Sequence, residues 1–313
     1  MTGSLQNRAL VRSAVRAFFE ERSYVEVETP VLTRHPDLQP TLSYFETEAC
    51  VRGEAPERCA LITSPEYAHK KLIALGTERT FELARVFRNN EPRDAWHELE
   101  FTLLEWYRTG ASFEDGMEET LELIAFVCKQ ATGKTQATVD GRHIPLDRAQ
   151  WDIRSLASLF EEYAGMTLSP TPTRRDYQEA LDRAGLSYNS ADSIGDLFQR
   201  LMLNLVEPAL RRAERPMVVA YYPAHEASLA CLNENGFAER FEVFIGGIEL
   251  CNAYGELTDA HEQRQRFEAE QARRRELGEP VYPIDEDLLR ALNRIDKPLF
   301  GNALGFDRLV ALL

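Results

Sequence analysis

What this chain lacks narrows its chemistry first. No stretch of its 313 residues approaches the roughly 20 apolar residues that cross a bilayer. Met1 to Leu10 has no apolar run of the signal-peptide kind, so a cytoplasmic protein with no membrane role is expected. Cysteine is scarce: Cys50, Cys59, Cys128, Cys231 and Cys251 form no CxxC pair and are odd in number, which argues against a disulfide frame or a thiolate zinc site. Cations are outnumbered, 36 Lys and Arg against 51 Asp and Glu, and the formal charge of −15 is the reverse of a surface built for nucleic acid. There is no GxxxxGK[ST] loop, no GxGxxG after a strand, no HExxH helix and no nucleophile elbow, so any nucleotide is held without a P-loop or a Rossmann turn. His69 and His261 stand alone and read as surface residues.

What is present can bury a core, since 44% of the residues are hydrophobic. Leu5 to Arg22 reads as an amphipathic helix, and Tyr24 to Thr29 as an alternating strand halted by Pro30. Phe81 to Arg88 and Phe101 to Tyr107 read as an antiparallel strand pair joined by the polar loop Asn89 to Glu100. The pattern turns helical over Ser112 to Gln130, Asp152 to Tyr163, Arg174 to Ala184 and Ile194 to Arg212, a helical insertion over about 112–212. Strands resume at Met217 to Tyr222 and Phe237 to Asn252, the charged run Asp259 to Leu277 is helical, and Gly301 to Leu313 closes the chain. Strands, then helices, then strands predict an α+β fold, an antiparallel β-sheet flanked by helices, in a single domain over 1–313.

The most informative local geometry runs from Arg240 to Asn252. Gly246 and Gly247 separate two apolar-rich runs and suit a two-residue hairpin turn, because glycine tolerates positive φ. Ile245 then faces Ile248, Phe244 faces Glu249 and Glu242 faces Cys251, which makes Glu242 and Glu249 diagonal neighbours on one face. Two close carboxylates repel unless a cation lies between them, and Mg²⁺ takes one or two carboxylates when it carries substrate phosphates. An exposed sheet face with both charges in water is the plainer alternative, and spacing alone leaves it open.

Arg85 and Arg88 fall on opposite faces of their strand, and Arg88 ends it beside a loop holding Arg93 and His97, a set suited to phosphate oxygens. Near the C-terminus, Gly301-Asn302-Ala303-Leu304-Gly305-Phe306-Asp307-Arg308 brings small residues up to another arginine and permits close approach of a ligand.

Taken together, these segments resemble the catalytic core of the class II aminoacyl-tRNA synthetases. Val25 to Pro30 is similar to motif 1, Phe87-Arg88-Asn89 through His97 to Glu100-Phe101-Thr102 to motif 2, and Gly301 to Arg308 to motif 3. Thr63-Ser64-Pro65-Glu66-Tyr67, Glu105-Trp106-Tyr107, Gly247 to Asn252 and Gly255 to Asp259 resemble segments of the lysine branch. That resemblance implies ATP contacts from Arg88, Asn89, Glu91, His97, Glu249, Leu250, Gly305 and Arg308, with Arg88 on the α-phosphate, Arg308 on the γ-phosphate, and Mg²⁺ on Glu242 and Glu249. It implies an amino-acid pocket of Ser64, Pro65, Glu66, Glu105, Tyr107, Asn252, Tyr254, Glu256 and Ala303. In that pocket Glu66 meets the amino group near the reacting carboxylate, Tyr107 and Glu256 hold the distal ammonium, Asn252 touches the carboxylate and Tyr254 packs on the aliphatic stem.

Motif 1 begins almost at residue 1, so a freestanding core without an anticodon-binding domain is expected. Pro223 to Ala230 and Glu256 to Phe267 resemble the lysyl-synthetase paralogues that join (R)-β-lysine to a lysine of translation elongation factor P. The activity this implies is ATP-dependent activation of (R)-β-lysine or lysine and its transfer to that protein, in a homodimer formed through motif 1. A truncated synthetase that charges tRNA, an amide-forming amino-acid synthetase and a regulatory paralogue without chemistry are the alternatives. Asn90 lengthens the motif 2 loop, and Glu98 stands where the family has an ATP-contacting asparagine; an acid there points away from the triphosphate or meets the metal.

Overall fold

The computed structural model describes residues 5–92 and 94–313; Arg93, expected among the phosphate ligands, lies outside them. In chain order the elements are α1 (Leu5–Glu21), β1 (Val25–Glu26), β2 (Leu32–Thr33), β3 (Glu46–Ala49), β4 (Glu57–Leu61), α2 (Glu66–Ala74), β5 (Arg79–Phe87), β6 (Glu100–Thr109) and α3 (Phe113–Thr132). They continue with β7 (Gln136–Val139), β8 (Arg142–Pro145), β9 (Asp152–Ser155), α4 (Leu156–Ala164), α5 (Arg174–Ala184), α6 (Ile194–Leu201), α7 (Glu207–Arg212) and β10 (Met217–Tyr222). The last are β11 (Ala238–Ile245), β12 (Ile248–Gly255), α8 (Ala260–Leu277), α9 (Glu286–Leu292), β13 (Leu299–Gly305) and α10 (Phe306–Leu312). The chain divides into two compact units, the first of Arg16–Ser112 and Leu257–Ala311, the second of Leu5–Val15, Phe113–Glu256 and Leu312–Leu313.

In the first unit four strands lie in the order β1-β5-β6-β13, and a small sheet runs β2-β4-β3. The expected hairpin of β5 and β6 pairs antiparallel from Arg79 opposite Arg108 to Phe87 opposite Glu100. Strand β13 joins β6 antiparallel and sets Gly301 opposite Tyr107 and Ala303 opposite Glu105. Phe19 stacks on Phe81 at 4.6 Å and tilts against Trp106 at 5.5 Å; all three are fully buried, and such rings supply much of a core's apolar burial.

In the second unit the strand order is β12-β11-β10-β9. Its helices start where the side chains dictate. Thr173 with Asp176, and Ser193 with Asp196, close reciprocal capping boxes at the first turns of α5 and α6. Phe160 stacks on Phe198, ring centroids 5.5 Å apart, in the packed interior of these helices.

The α+β class stands, with four departures in detail. The strand arrays are mixed rather than purely antiparallel, because β1 runs parallel to β5 and β9 parallel to β10. The insertion over 112–212 is not wholly helical: β7 and β8 form a hairpin about Asp140-Gly141, and Asp152–Ser155 is a strand because it pairs with β10. The helix expected over Ile194 to Arg212 is broken by a π-helical turn at Met202–Val206. The strand expected at Tyr24 to Thr29 is only Val25–Glu26, and β2, β3, β4, α2 and α9 were not anticipated.

Candidate active site

The first unit gathers carboxylates. Glu66 opens α2 at 8% exposure, with Ser64 before it accepting from the Glu66 backbone N–H at 3.1 Å. Lys70, one turn on and 1% exposed, donates to Glu66 Oε1 at 2.5 Å, a buried pair on one helix face. Glu105, fully buried on β6, accepts from Ser64 Oγ at 2.8 Å and from the Tyr107 hydroxyl at 2.9 Å. Burial and then the charge of Glu66 push its pKa up to about 8, against the pull of those two hydrogen bonds. Ala303, partly buried, is its cross-strand partner, so its methyl lies on the wall that carries Glu105. Pro65 is buried at the start of α2.

Beside this wall, the end of β5 and the loop after it meet the start of α10. Arg88 donates its backbone N–H to Leu99 O at 3.0 Å, and its guanidinium lies 5.4 Å over the Phe101 ring. Its Nε is buried without a hydrogen-bond partner among the described residues. Arg308 reaches Trp96 O at 3.4 Å and His97 Nε2 at 3.3 Å, while His97 Nδ1 meets Asp94 at 2.8 Å. The structure thus brings Arg88, His97 and Arg308 into one unit, with Gly305 directly beneath the Arg308 side chain, where an added Cβ would lie 3.3 Å from its Cδ. Asn89 donates to Tyr44 O at 3.3 Å, Glu91 is partly buried in the loop, and Glu98 is exposed. Arg85, on the opposite face, is exposed in an ion pair with Glu100.

The second unit carries the hairpin. Gly246 and Gly247 form its turn at φ +62° and +82°, a conformation that favours glycine, and Ile245–Ile248 and Phe244–Glu249 pair as expected. Beyond them the expected register fails. A β-bulge makes Leu250 an extra residue, so Val243 faces Cys251 and Glu242 faces Asn252 rather than Cys251. Glu242 and Glu249 still share a face, and Asn252 and Tyr254 join it; a straight ladder would have put Cys251 and Ala253 there instead. Glu256, 5% exposed, follows β12 directly.

Arg240 organises that face. It donates to Glu242 Oε1 at 2.5 Å, to Asn252 Oδ1 at 3.2 Å and to Glu226 O at 2.7 Å, and lies 4.4 Å over Tyr222. Asn252 in turn donates to the Tyr254 hydroxyl at 3.0 Å. Burial alone would lower the Arg240 pKa, but Glu242 foremost among its neighbours holds it above its ordinary value. Tyr222 reaches this face because β10 is irregular at Tyr221, whose φ of +65° is costly for a side-chain-bearing residue.

Sequence reasoning missed Arg240, Lys70 and Asp37. Two signals were available: the Glu66/Lys70 spacing of four on a helix, and the Arg240/Glu242 spacing of two on a strand. His69 is a correction. It is fully buried, with Nδ1 at 2.8 Å from Thr80 Oγ1 and Nε2 at 3.2 Å from Glu82, whereas His261 is exposed as expected.

A sequence profile of the tRNA synthetases class II (D, K and N) matches residues 1–313. The chain is 37% identical, over 99% of its length and 90% of the relative's, to the "Elongation factor P--(R)-beta-lysine ligase" of Edwardsiella ictaluri. It is 35% identical over the same shares to the protein of that name from Photorhabdus laumondii. It is also 36% identical to the "Lysine--tRNA ligase" of Prochlorococcus marinus, of which it spans 60%.

Proposed function

The chain belongs to the tRNA synthetases class II (D, K and N), and on that premise we propose that it is an ATP-dependent ligase that joins (R)-β-lysine, or lysine, to the ε-amine of a lysine on elongation factor P. The observation that carries the proposal is Glu105: fully buried next to Glu66 and opposite Ala303, it makes a wall suited to a cation that the substrate brings. Relatives bearing the ligase name over 90% of their length support the same reading.

The reaction has two steps. The amino-acid carboxylate attacks the ATP α-phosphorus and pyrophosphate leaves; the target amine, losing a proton, then attacks the carbonyl of the mixed anhydride and AMP leaves. Positioning and charge stabilisation supply most of the catalysis in such transfers. Arg88 and Arg308 draw phosphate charge, and His97, held between Asp94 and Arg308, orients the loop over the nucleotide with Asn89, Glu91 and Gly305. Within the first unit, Ser64, Glu66, Glu105 and Tyr107 are the groups proposed to receive amino groups; within the second, Asn252, Tyr254 and Glu256 are the groups proposed for the amino acid.

Glu242 and Glu249 fit a magnesium ion, since both are hard oxygen donors on one strand face. No cluster of three or more ligating side chains occurs among the described residues, so phosphate oxygens would complete the shell. Bound there, the ion would neutralise phosphate charge, with Leu250, the residue after Glu249, as a further proposed ATP contact.

The lysine–tRNA ligase relatives favour a second reading, in which the acceptor is tRNA. ATP–pyrophosphate exchange with (R)-β-lysine and L-lysine, followed by transfer to elongation factor P and to tRNA, decides between them. Exchange and transfer to the protein are expected, and transfer to tRNA alone overturns the proposal. A cytoplasmic homodimer belongs to the same reading: no described helix is long and apolar enough to cross a membrane, and Val25, Val31 and Leu32 near motif 1 are 51%, 38% and 45% exposed. Light scattering checks the dimer.

A further inference from the structure

Between β10 and β11 of the second unit, Ala224–Glu226 makes a single 3₁₀ turn that sets two polar side chains next to each other. His225 Nε2 lies 2.8 Å from the Tyr177 hydroxyl on α5, and its Nδ1 lies 3.0 Å from Glu226 Oε1. The imidazole packs edge-on to Tyr177 and to Phe198 of α6, ring centroids 5.7 and 5.6 Å away. Glu226 Oε2 is 3.8 Å from the Arg240 guanidinium, and the Glu226 backbone O accepts from that group at 2.7 Å. A continuous chain of polar contacts thus runs from α5 through His225 and Glu226 to Arg240, which in turn meets Glu242 and Asn252.

The protons along this chain have one consistent arrangement. Tyr177 is fully buried, and burial pushes its hydroxyl pKa well up, so the hydroxyl keeps its proton and needs an acceptor. His225 Nε2 is the acceptor in reach among the described residues, which puts the ring's proton on Nδ1, facing the Glu226 carboxylate. A proton on both nitrogens would leave a buried O–H without an acceptor, a costly state. The far end is equally constrained. A guanidinium has donors only, so the Asn252 oxygen turns to Arg240 and its Nδ2 to the Tyr254 hydroxyl. Nδ2 carries a second N–H, the kind of donor that a carboxylate takes.

We propose that Tyr177 and His225 are positioning residues: they hold Glu226 against Arg240, and through Arg240 keep the Asn252 amide turned to donate to the substrate's carboxylate. This rests on the amino-acid ligase reading above. Without the tether, the Glu226 carboxylate, 16% exposed, turns toward water and Arg240 closes further on Glu242. The bond from Arg240 to Asn252, at 3.2 Å longer than those to Glu226 and Glu242, is the first to be lost.

Calorimetric titration of the full chain tests the tether with (R)-β-lysine, L-lysine and 1,5-diaminopentane, which is lysine without its carboxylate. His225→Leu should weaken both amino acids about tenfold, the size of one charge-assisted hydrogen bond, and leave the diamine unchanged. His225→Asn should restore most of that affinity, because its amide nitrogen can donate to Glu226 from the place of Nδ1. Tyr177→Phe, which removes one hydroxyl, should weaken the amino acids about threefold with the same selectivity and add nothing in a His225→Leu background. That variant decides the matter where His225→Leu does not fold. Phe198→Leu is the control for packing: it loosens the same ring without removing a hydrogen bond, and should lower the melting temperature while all three affinities stay as in wild type. Unchanged amino-acid affinity in His225→Leu and Tyr177→Phe, an equal loss for the diamine, or an equal loss in Phe198→Leu overturns the positioning role and leaves the ligase reading standing. A wild type that binds the amino acids with the selectivity described yet supports no pyrophosphate exchange overturns the ligase reading and leaves the positioning role.

Discussion

Carboxylates are treated in opposite ways by the two units. In the second, Glu242 and Glu226 close on Arg240, whose guanidinium also lies over Tyr222 and reaches Asn252, so negative charge is matched where it stands. In the first, Lys70 serves Glu66, while Asp37, Glu105 and Glu270 have pKa values pushed up to about 6, 8 and 8, chiefly by burial and then by one another's charge or that of Glu66. Matched acids make a firm platform. Unmatched acids hold protons until a cation displaces them. A substrate with two amines is the natural beneficiary of the second arrangement, because each amine removes a desolvation cost already present in the fold.

That contrast can be broken at several points. The largest effect is expected at Arg88→Ala, which removes the cation assigned to the α-phosphate; pyrophosphate exchange should fall on the order of 10³-fold with folding intact, and wild-type exchange in that variant sinks the assignment. Next come the two resident cations. Lys70→Met strands the buried Glu66 and Arg240→Met strands Glu242, and each should cost about 3 kcal/mol in urea unfolding. A saturating diamino acid should stabilise both variants, and by more in Lys70→Met, where it also brings a cation back beside Glu66. Equal recovery in both would erase the distinction between the units.

A smaller effect concerns pH. Glu105 takes up a proton more readily folded than unfolded, so between its ordinary 4.5 and about 8 the native state binds more protons, and stability falls as pH rises through that window. Asp37 and Glu270 act in the same direction. Glu105→Gln should flatten the decline in melting temperature between pH 5 and 8, and the diamino acid should bind wild type more tightly toward pH 8. The smallest effect is expected at Arg85→Gln, which removes an exposed ion pair with Glu100 and should leave stability within about 0.5 kcal/mol of wild type.

Legibility in the sequence followed the range of the interactions involved. Helix α5 was read to the residue because its cap, periodicity and stop signal are all local. The Gly246-Gly247 turn and its first two cross-strand pairs were legible for the same reason. Asp152–Ser155 was not, since its partner β10 lies more than sixty residues away and pairing overrode a helix-like pattern. His69 looked solitary because Thr80 and Glu82, its partners, come from a different element. Among the site residues, Arg88, His97 and Arg308 lie in the first unit and Glu242, Asn252 and Tyr254 share a face in the second, whereas Asp37, Lys70 and Arg240 gain their significance only from neighbours brought close by folding.

The extra residue in β12 gives the second unit something like a reading frame. Leu250 is buried, and its place outside the ladder decides which members of the following strand, the even-numbered or the odd-numbered, look toward the carboxylates. Pairing that residue into the ladder would trade an amide and a phenol for a thiol and a methyl at a stroke, whereas deleting it would leave Asn252 opposite Glu242. Along this stretch, the bulge is as strict a requirement as residue identity.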